Sequence, residues 1–330
     1  MDALVFSLNA VFPLLLVSAL GFYVRRKNVV SDTFLKEGNR FCFRYGFMAM
    51  MFVNIYDIDS LADIRWQVVA FAVAVILVLF VIGFAVVPFA VPDDRQKGVV
   101  HQAFYRSNYA TIGLPLAFNL CGSEGLIVAS LVSAFSVPLY NVLGVISLSA
   151  FVRQRMVHPV RFIVKQIVTN PLIIGVAAGF VCLLLRPHLG GRRLSTGSFR
   201  FVYKALASVG GIAPWLSLII LGGQFKFSAV RRLLPQISLS VASRLVLAPV
   251  LGMAAVVFVP SALGLRPFTG AEYAALFALF AAPQAVASVS MADQMGGDSE
   301  LAGQVLVWTA LFSMPAIFAY TAVFRSAGLF

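Results

Sequence analysis

Charge is the first thing this chain lacks: only 12% of its 330 residues are Asp, Glu, Lys or Arg, against about a quarter in an ordinary soluble domain. Too little polar surface remains to cover a water-soluble globule. The 60% hydrophobic content and mean hydropathy of +0.92 point instead to an all-α integral membrane protein. Acid is scarcer than base, 13 residues against 25. The resulting net charge of +12 would suit a nucleic acid if it were gathered on one face. The basic residues fall in short clusters between apolar runs, however, so no nucleic-acid partner is expected. Cysteine and histidine are equally sparse, with three of each. Cys42, Cys121 and Cys182, like His101, His158 and His188, stand apart without ligand spacing, and neither a metal nor a cofactor is expected. Phosphate loops, nucleophile elbows and His-Glu metal motifs are missing too, which leaves an ATP-driven pump or a membrane enzyme without support. No basic segment precedes the first apolar run, so the N-terminus does not read as a cleavable signal peptide.

Long apolar runs are plentiful. At roughly 20 residues per span the chain divides into ten, at 4–24, 40–56, 66–91, 98–119, 125–151, 161–185, 201–223, 234–259, 271–292 and 301–324. Basic clusters at Arg25, Arg26 and Lys27, at Arg95 and Lys97, in the loop 153–165, and at Lys226, Arg231 and Arg232 outweigh those of the opposite loops, of which only the one from Arg186 to Lys204 is rich. That bias predicts both termini outside the cell. Two sets of five spans result, 1–152 and 153–330. An odd number in each set means that halves of like fold are inserted in opposite senses.

One stretch breaks the apolar pattern. From His101 to Gly122 a predicted span carries Arg106, Asn108 and Gly113-Leu114-Pro115. Charges and breaks at that depth are costly unless protein or water satisfies them. Pro115 lacks an amide proton and Gly113 lets the chain leave helical geometry, so a break is expected there. A half-helix starting beyond it would aim amide groups at a carboxylate, with Asn108 and Thr111 adding neutral hydrogen bonds; the plainer reading is a packed proline kink. Span nine offers a counterpart in Pro283, Gln284, Ser288 and Ser290, followed by Gly297 and Pro315 where span four is followed by Gly122 and Pro138. Asn54 and Tyr56 in span two and Asn141 in span five either line a pathway or bond between helices. Arg244, mid-span, meets either a substrate's negative charge or the carbonyls at a helix C-terminus, whereas Arg106 is expected to serve as a gate or structural residue. None of the 13 acids stands at mid-span to pair with either arginine. Arg44 reads as an interfacial arginine that snorkels, and Gly175 with Gly179 has the spacing of a close helix crossing.

The segments FPLLLVSALGFYVRRKNVVSD, RSNYATIGLPLAFNLCG, SRLVLAPVLG and PQAVASVSMADQMGGD, in that order, resemble the auxin efflux carrier family in its bacterial branch, and the resemblance covers nearly the whole chain. It implies ten transmembrane helices in two inverted five-helix repeats, similar to bile-acid symporters and sodium/proton antiporters, with helices four and nine unwound and crossing at mid-membrane. It further implies a scaffold of spans one, two, six and seven, a moving transport domain of the others, and a place in the bacterial inner membrane. Organic anions such as auxin, malonate or malate are the implied cargo. Related plant carriers have a second proline near position 288, where this chain has Ser288, so Pro283 is the expected hinge. The expected partners are the anion and the lipid bilayer; proton or sodium coupling and a homodimer are left open. With no acid at mid-membrane, a proton would need a peripheral acid such as Asp57, a histidine or the substrate, whereas sodium could be held by carbonyls. The alternative function is a receptor that binds an anion without moving it.

Overall fold

The computed structural model describes residues 2–57, 66–151, 164–165, 168–186, 194–196, 200–226 and 228–329. Arg153, Arg155 and Arg161, the joint between 152 and 153, and Asp59, Asp63, Arg65, His158, His188, Arg192 and Arg193 lie outside the described residues. Those described form helices and connecting turns, without a strand.

Helix α1 spans Asp2–Arg26. The stretch expected as span two is α2 (Asp32–Phe41), a π-turn (Cys42–Gly46) and α3 (Phe47–Tyr56). It starts well before the expected residue 40, because the Ser31 hydroxyl accepts from Phe34 N at 3.1 Å and Asp32 sits in the positive first turn. A count of apolar residues misses such a polar, amphipathic entry. Helix α4 covers Trp66–Ala90, α5 Asp94–Tyr105 and α6 Leu114–Ala150. The last is bent at Cys121 and Gly122, where Gly122 takes φ +61°, a conformation that favours glycine. Then come α7 (Pro171–Leu185), α8 (Arg200–Gln224), α9 (Ala229–Ala242), a π-turn (Ser243–Leu247) and α10 (Ala248–Ala262). Helices α11 (Gly270–Ala281), α12 (Ala287–Gln294) and α13 (Ser299–Ser326) end the chain. The turn between α12 and α13 uses Gly296 at φ +77°, one residue before the glycine singled out in the sequence.

Among the described residues, five helical stretches are long and apolar enough to cross a membrane: Trp66–Ala90, Tyr109–Ala150, Arg200–Gln224, Ala229–Ala262 and Ser299–Ser326. Their outward faces are greasy, with Phe89 91% and Phe258 70% exposed, as suits a surface that meets lipid tails. Between helices, small residues allow close contact. A Cβ on Gly175 would overlap the Met48 carbonyl and one on Gly179 would stand 2.9 Å from the Phe52 carbonyl, so the expected Gly-x-x-x-Gly crossing exists and its partner is α3. Gly21 and Gly222 serve α1 and α8 reciprocally, each lying against the other helix's backbone at Ile219 and Ser18. Apolar packing forms two clusters. One includes Phe47, Met51, Phe104, Leu221, Met291 and Val305, the other Leu79, Tyr109, Leu116, Ala275 and Phe280.

Candidate functional site

Two half-helices of equal length, α5 and α11, have 12 residues each. At 1.5 Å per residue each reaches about 18 Å, a little over half of a ~30 Å hydrocarbon core. Both are firmly started. Asp93 caps α5 through Arg95 N at 2.9 Å. Thr269 and Glu272 close a capping box on α11, and the buried Glu272 carboxylate takes both Arg266 Nη1 (3.1 Å) and Nη2 (2.7 Å). That carboxylate raises the guanidinium pKa of Arg266 above its usual value.

The half-helices stop at the same place. Arg106 turns extended at φ −87°, ψ 116°, and Ala282 does so at φ −63°, ψ 143°. Ser107 then pairs antiparallel with Gln284, and Asn108 N donates to the Pro283 carbonyl at 2.7 Å. Each break therefore supplies hydrogen bonds that the other has lost, which is what a membrane interior demands of irregular backbone. Pro283 stands in the span-nine break as expected. That break runs from 282 to 286, against 106 to 108 in span four, so span nine unwinds at least as far despite Ser288.

The span-four break lies N-terminal to Gly113-Leu114-Pro115, a correction to the sequence reading. Gly113 is helical at φ −67°, ψ −44°. The missing amide of Pro115 is absorbed by a π-turn at Tyr109–Gly113, where Leu114 N bonds to Tyr109 O, five residues back. The device recurs at Pro249, just after the Ser243–Leu247 π-turn in which Ala248 N bonds to Ser243 O. Gly113 is small for another reason: an added Cβ would overlap the Tyr109 ring. Pro115 itself is exposed.

Beside the meeting point lies a cavity of ≈ 50 Å³, room for a few waters and well short of a typical ligand pocket. Asn108 and Thr111 line it, as do Asn141 and Arg106. Asn108 is buried with its Nδ2 unpartnered. Arg106 is 2% exposed; Nη1 donates to Gln102 Oε1 at 2.9 Å and Nη2 to Asn141 Oδ1 at 2.9 Å, while Nε has no partner. The extended backbone of 106–108 turns Arg106 and Asn108 into one cavity. Two helix starts also face it, the π-turn after Asn108 and α12 at Val286 and Ala287. Among the described residues its lining carries positive and neutral donors and no acid.

Other expected residues go elsewhere. Gln284 Nε2 donates to Ser288 Oγ at 2.9 Å and Gln284 N to Thr309 Oγ1 at 3.2 Å, so this pair ties span nine to itself and to α13. Ser290 donates to Asn39 at 2.6 Å. Asn54 is exposed on α3, and Tyr56 accepts from Leu194 N at 2.8 Å; neither lines the cavity. Arg44 is exposed. Arg244 is fully buried, with Nη2 donating to the Phe280 carbonyl at 2.5 Å in the last turn of α11 and with Nε and Nη1 unpartnered. Of its two expected partners the helix C-terminus is thus present. Both arginines stand at the negative end of a half-helix.

Sequence reasoning missed Ser107, Tyr140 and Met51, which line the cavity, and Gln102 and Met291, which bond to Arg106. Tyr140 OH lies 3.3 Å from Ser107 Oγ, and its place just after Pro138 was the available signal. A vestibule of ≈ 800 Å³ is lined by Arg25, Lys36, Arg95, Lys226 and Arg232 together with as many acids, Asp32, Asp93, Asp293, Asp298 and Glu300.

Residues 6–150 match a family described as membrane transport protein, in keeping with the resemblance drawn from the sequence. The later segments that carried that resemblance, from Ser243 and from Pro283, lie outside the match. No curated protein matches the chain.

Proposed function

We propose that this chain, whose residues 6–150 match the membrane transport protein family, is a secondary transporter of small organic anions such as malonate, malate or auxin-like carboxylates. The observation that carries this reading is the cavity where the two breaks meet. It holds a buried Arg106 with three neutral partners, an unpartnered Asn108 amide and two helix starts, with no carboxylate among the described residues of its lining. A buried cation without a counter-charge is costly, and a bound carboxylate removes that cost.

The fuller architecture belongs to the same proposal: ten spans, two inverted repeats of five, and a transport domain moving against a scaffold of spans one, two, six and seven. Half-helices of equal length entering antiparallel and bonding through Ser107 and Gln284 support the inverted relation. The small cavity suits a closed state, and alternating access would open it in turn to each side. On the orientation expected from the basic loops, the vestibule of mixed charge is then the cytoplasmic mouth in a bacterial inner membrane.

Uptake and counterflow of radiolabelled malonate, malate and indole-3-acetate in proteoliposomes test the reading, with and without sodium or a proton gradient. Counterflow of at least one acid is expected. Saturable binding with no flux of any of them would overturn transport in favour of the receptor alternative.

A further inference from the structure

Arg106 and its neighbour Asn141 each spend a donor on sulfur. Arg106 Nη1 lies 3.2 Å from Met291 Sδ, and Asn141 Nδ2 lies 3.2 Å from Met51 Sδ. Both donors belong to buried groups, 2% and 1% exposed, that are themselves joined by Arg106 Nη2 to Asn141 Oδ1 at 2.9 Å. A thioether is a weak acceptor. In a protein interior a guanidinium donor normally finds an oxygen, and charge-assisted bonds to carboxylate are among the strongest available. Here two adjacent, fixed donors face two soft, flexible side chains from different helices, Met51 on α3 and Met291 on α12.

We propose that Met51 and Met291 hold the place of the substrate's carboxylate, which on binding displaces both sulfurs and bridges Arg106 Nη1 and Asn141 Nδ2. The inference rests on the anion-transport reading and adds to it the group that recognises the charge and the two residues that vacate the site. Three features of the site agree. Met51 lines the cavity and Met291 lies on the guanidinium that borders it, so their departure enlarges a space now of ≈ 50 Å³. Methionine has three side-chain torsions and repacks at small cost. Arg106 keeps Gln102 Oε1 at 2.9 Å and Asn141 Oδ1 at 2.9 Å, which hold the guanidinium in position while the sulfur leaves. Met51 comes from span two and Met291 from span nine, so a carboxylate in this place would loosen a contact of α3 and one of α12 together and thereby couple occupancy to helix movement.

The experiment is methyl NMR in nanodiscs with methionine labelled at Cε. Nine methionines give a tractable spectrum, and the Met51→Leu and Met291→Leu variants assign the two signals. Malonate should shift both, whereas its uncharged diamide should shift neither. Each leucine, similar in size but unable to accept a hydrogen bond, should tighten malonate binding roughly two- to five-fold, since a weak competing acceptor is gone. Arg106→Gln should abolish binding, and Arg106→Lys should restore part of it. Malonate that binds with both methyl signals unmoved, or signals moved equally by the diamide, overturns the place-holder proposal and leaves transport standing. Malonate and malate that neither bind nor exchange overturn both. Should one leucine variant not fold, the other with the wild-type spectrum decides, because each sulfur reports on its own donor.

Discussion

Replacing Gly113 by Ala separates two physical accounts of the segment before Pro115. If glycine were there to let the backbone leave the helix, alanine would strain it; but Gly113 is helical at φ −67°, ψ −44°, so alanine fits the backbone and gains about 0.5–1 kcal/mol of helix preference. The cost lies in the side chain. The new methyl overlaps the Tyr109 ring, and forcing an extra methyl into a packed interior costs about 1–3 kcal/mol. The displaced ring also draws its hydroxyl off the Ala275 carbonyl, now 3.0 Å away on α11, and a buried hydroxyl left unpaired costs about 1–3 kcal/mol more. The balance is about 3 kcal/mol of destabilisation, or a melting temperature lowered by roughly 6 °C at ~2 °C per kcal/mol. Thermal unfolding of purified Gly113→Ala in detergent measures it. The second step is Tyr109→Leu in both backgrounds: with the ring gone, alanine at 113 should be neutral or slightly stabilising. A Gly113→Ala penalty that persists in the Tyr109→Leu background would refute the steric account and restore the backbone one.

Other residues give sharper readouts of site and scaffold. Asn108→Ala should abolish anion counterflow while lowering stability by less than about 1 kcal/mol, because the Nδ2 it removes has no partner; a loss of stability without loss of transport would contradict its role. Glu272→Ala, which removes the capping box and both bonds from Arg266, should destabilise by about 2–4 kcal/mol in thermal unfolding, with binding affinity kept in whatever protein remains folded. Gly175→Val should disrupt the α3–α7 crossing, since its added atoms meet the Met48 carbonyl and backbone cannot yield as a side chain does; monodisperse protein of wild-type stability would show that the crossing is looser. Arg244→Leu should leave the affinity for malonate within a few-fold and lower stability, given its bond to Phe280 O, and a tenfold loss of binding would instead make it a substrate ligand.

Much of the architecture was legible from composition and order. Scarcity of charge points to a membrane, five of the helical stretches are long and apolar enough to cross it, and Arg106, Asn108 and Pro283 marked the two broken segments, because a bilayer does not tolerate unsatisfied polar groups. The close crossing at Gly175 and Gly179 was likewise readable as a spacing, though its partner α3 was not. Other assignments failed for identifiable reasons. Gly113 and Pro115 look like a break, yet a π-turn absorbs the proline and the true break falls at 106–108, because the antiparallel pairing with Gln284 rewards extended backbone at that point. Asn54, expected either to line a pathway or to bond between helices, is exposed on α3, since helix phase alone does not say which face a neighbour covers.

The sequence by itself determined the apolar, membrane-suited helices and the presence of polar, helix-breaking residues in the segments around 106 and 283, since each follows from the cost of transferring local groups out of water. Only the tertiary structure decided what those residues do. It brought Ser107 to Gln284, Arg244 to Phe280, and Met51 and Met291 onto the donors of Asn141 and Arg106. These are pairings across 36 to 185 positions of chain, set by the packing of whole helices, and no local pattern of residues encodes them.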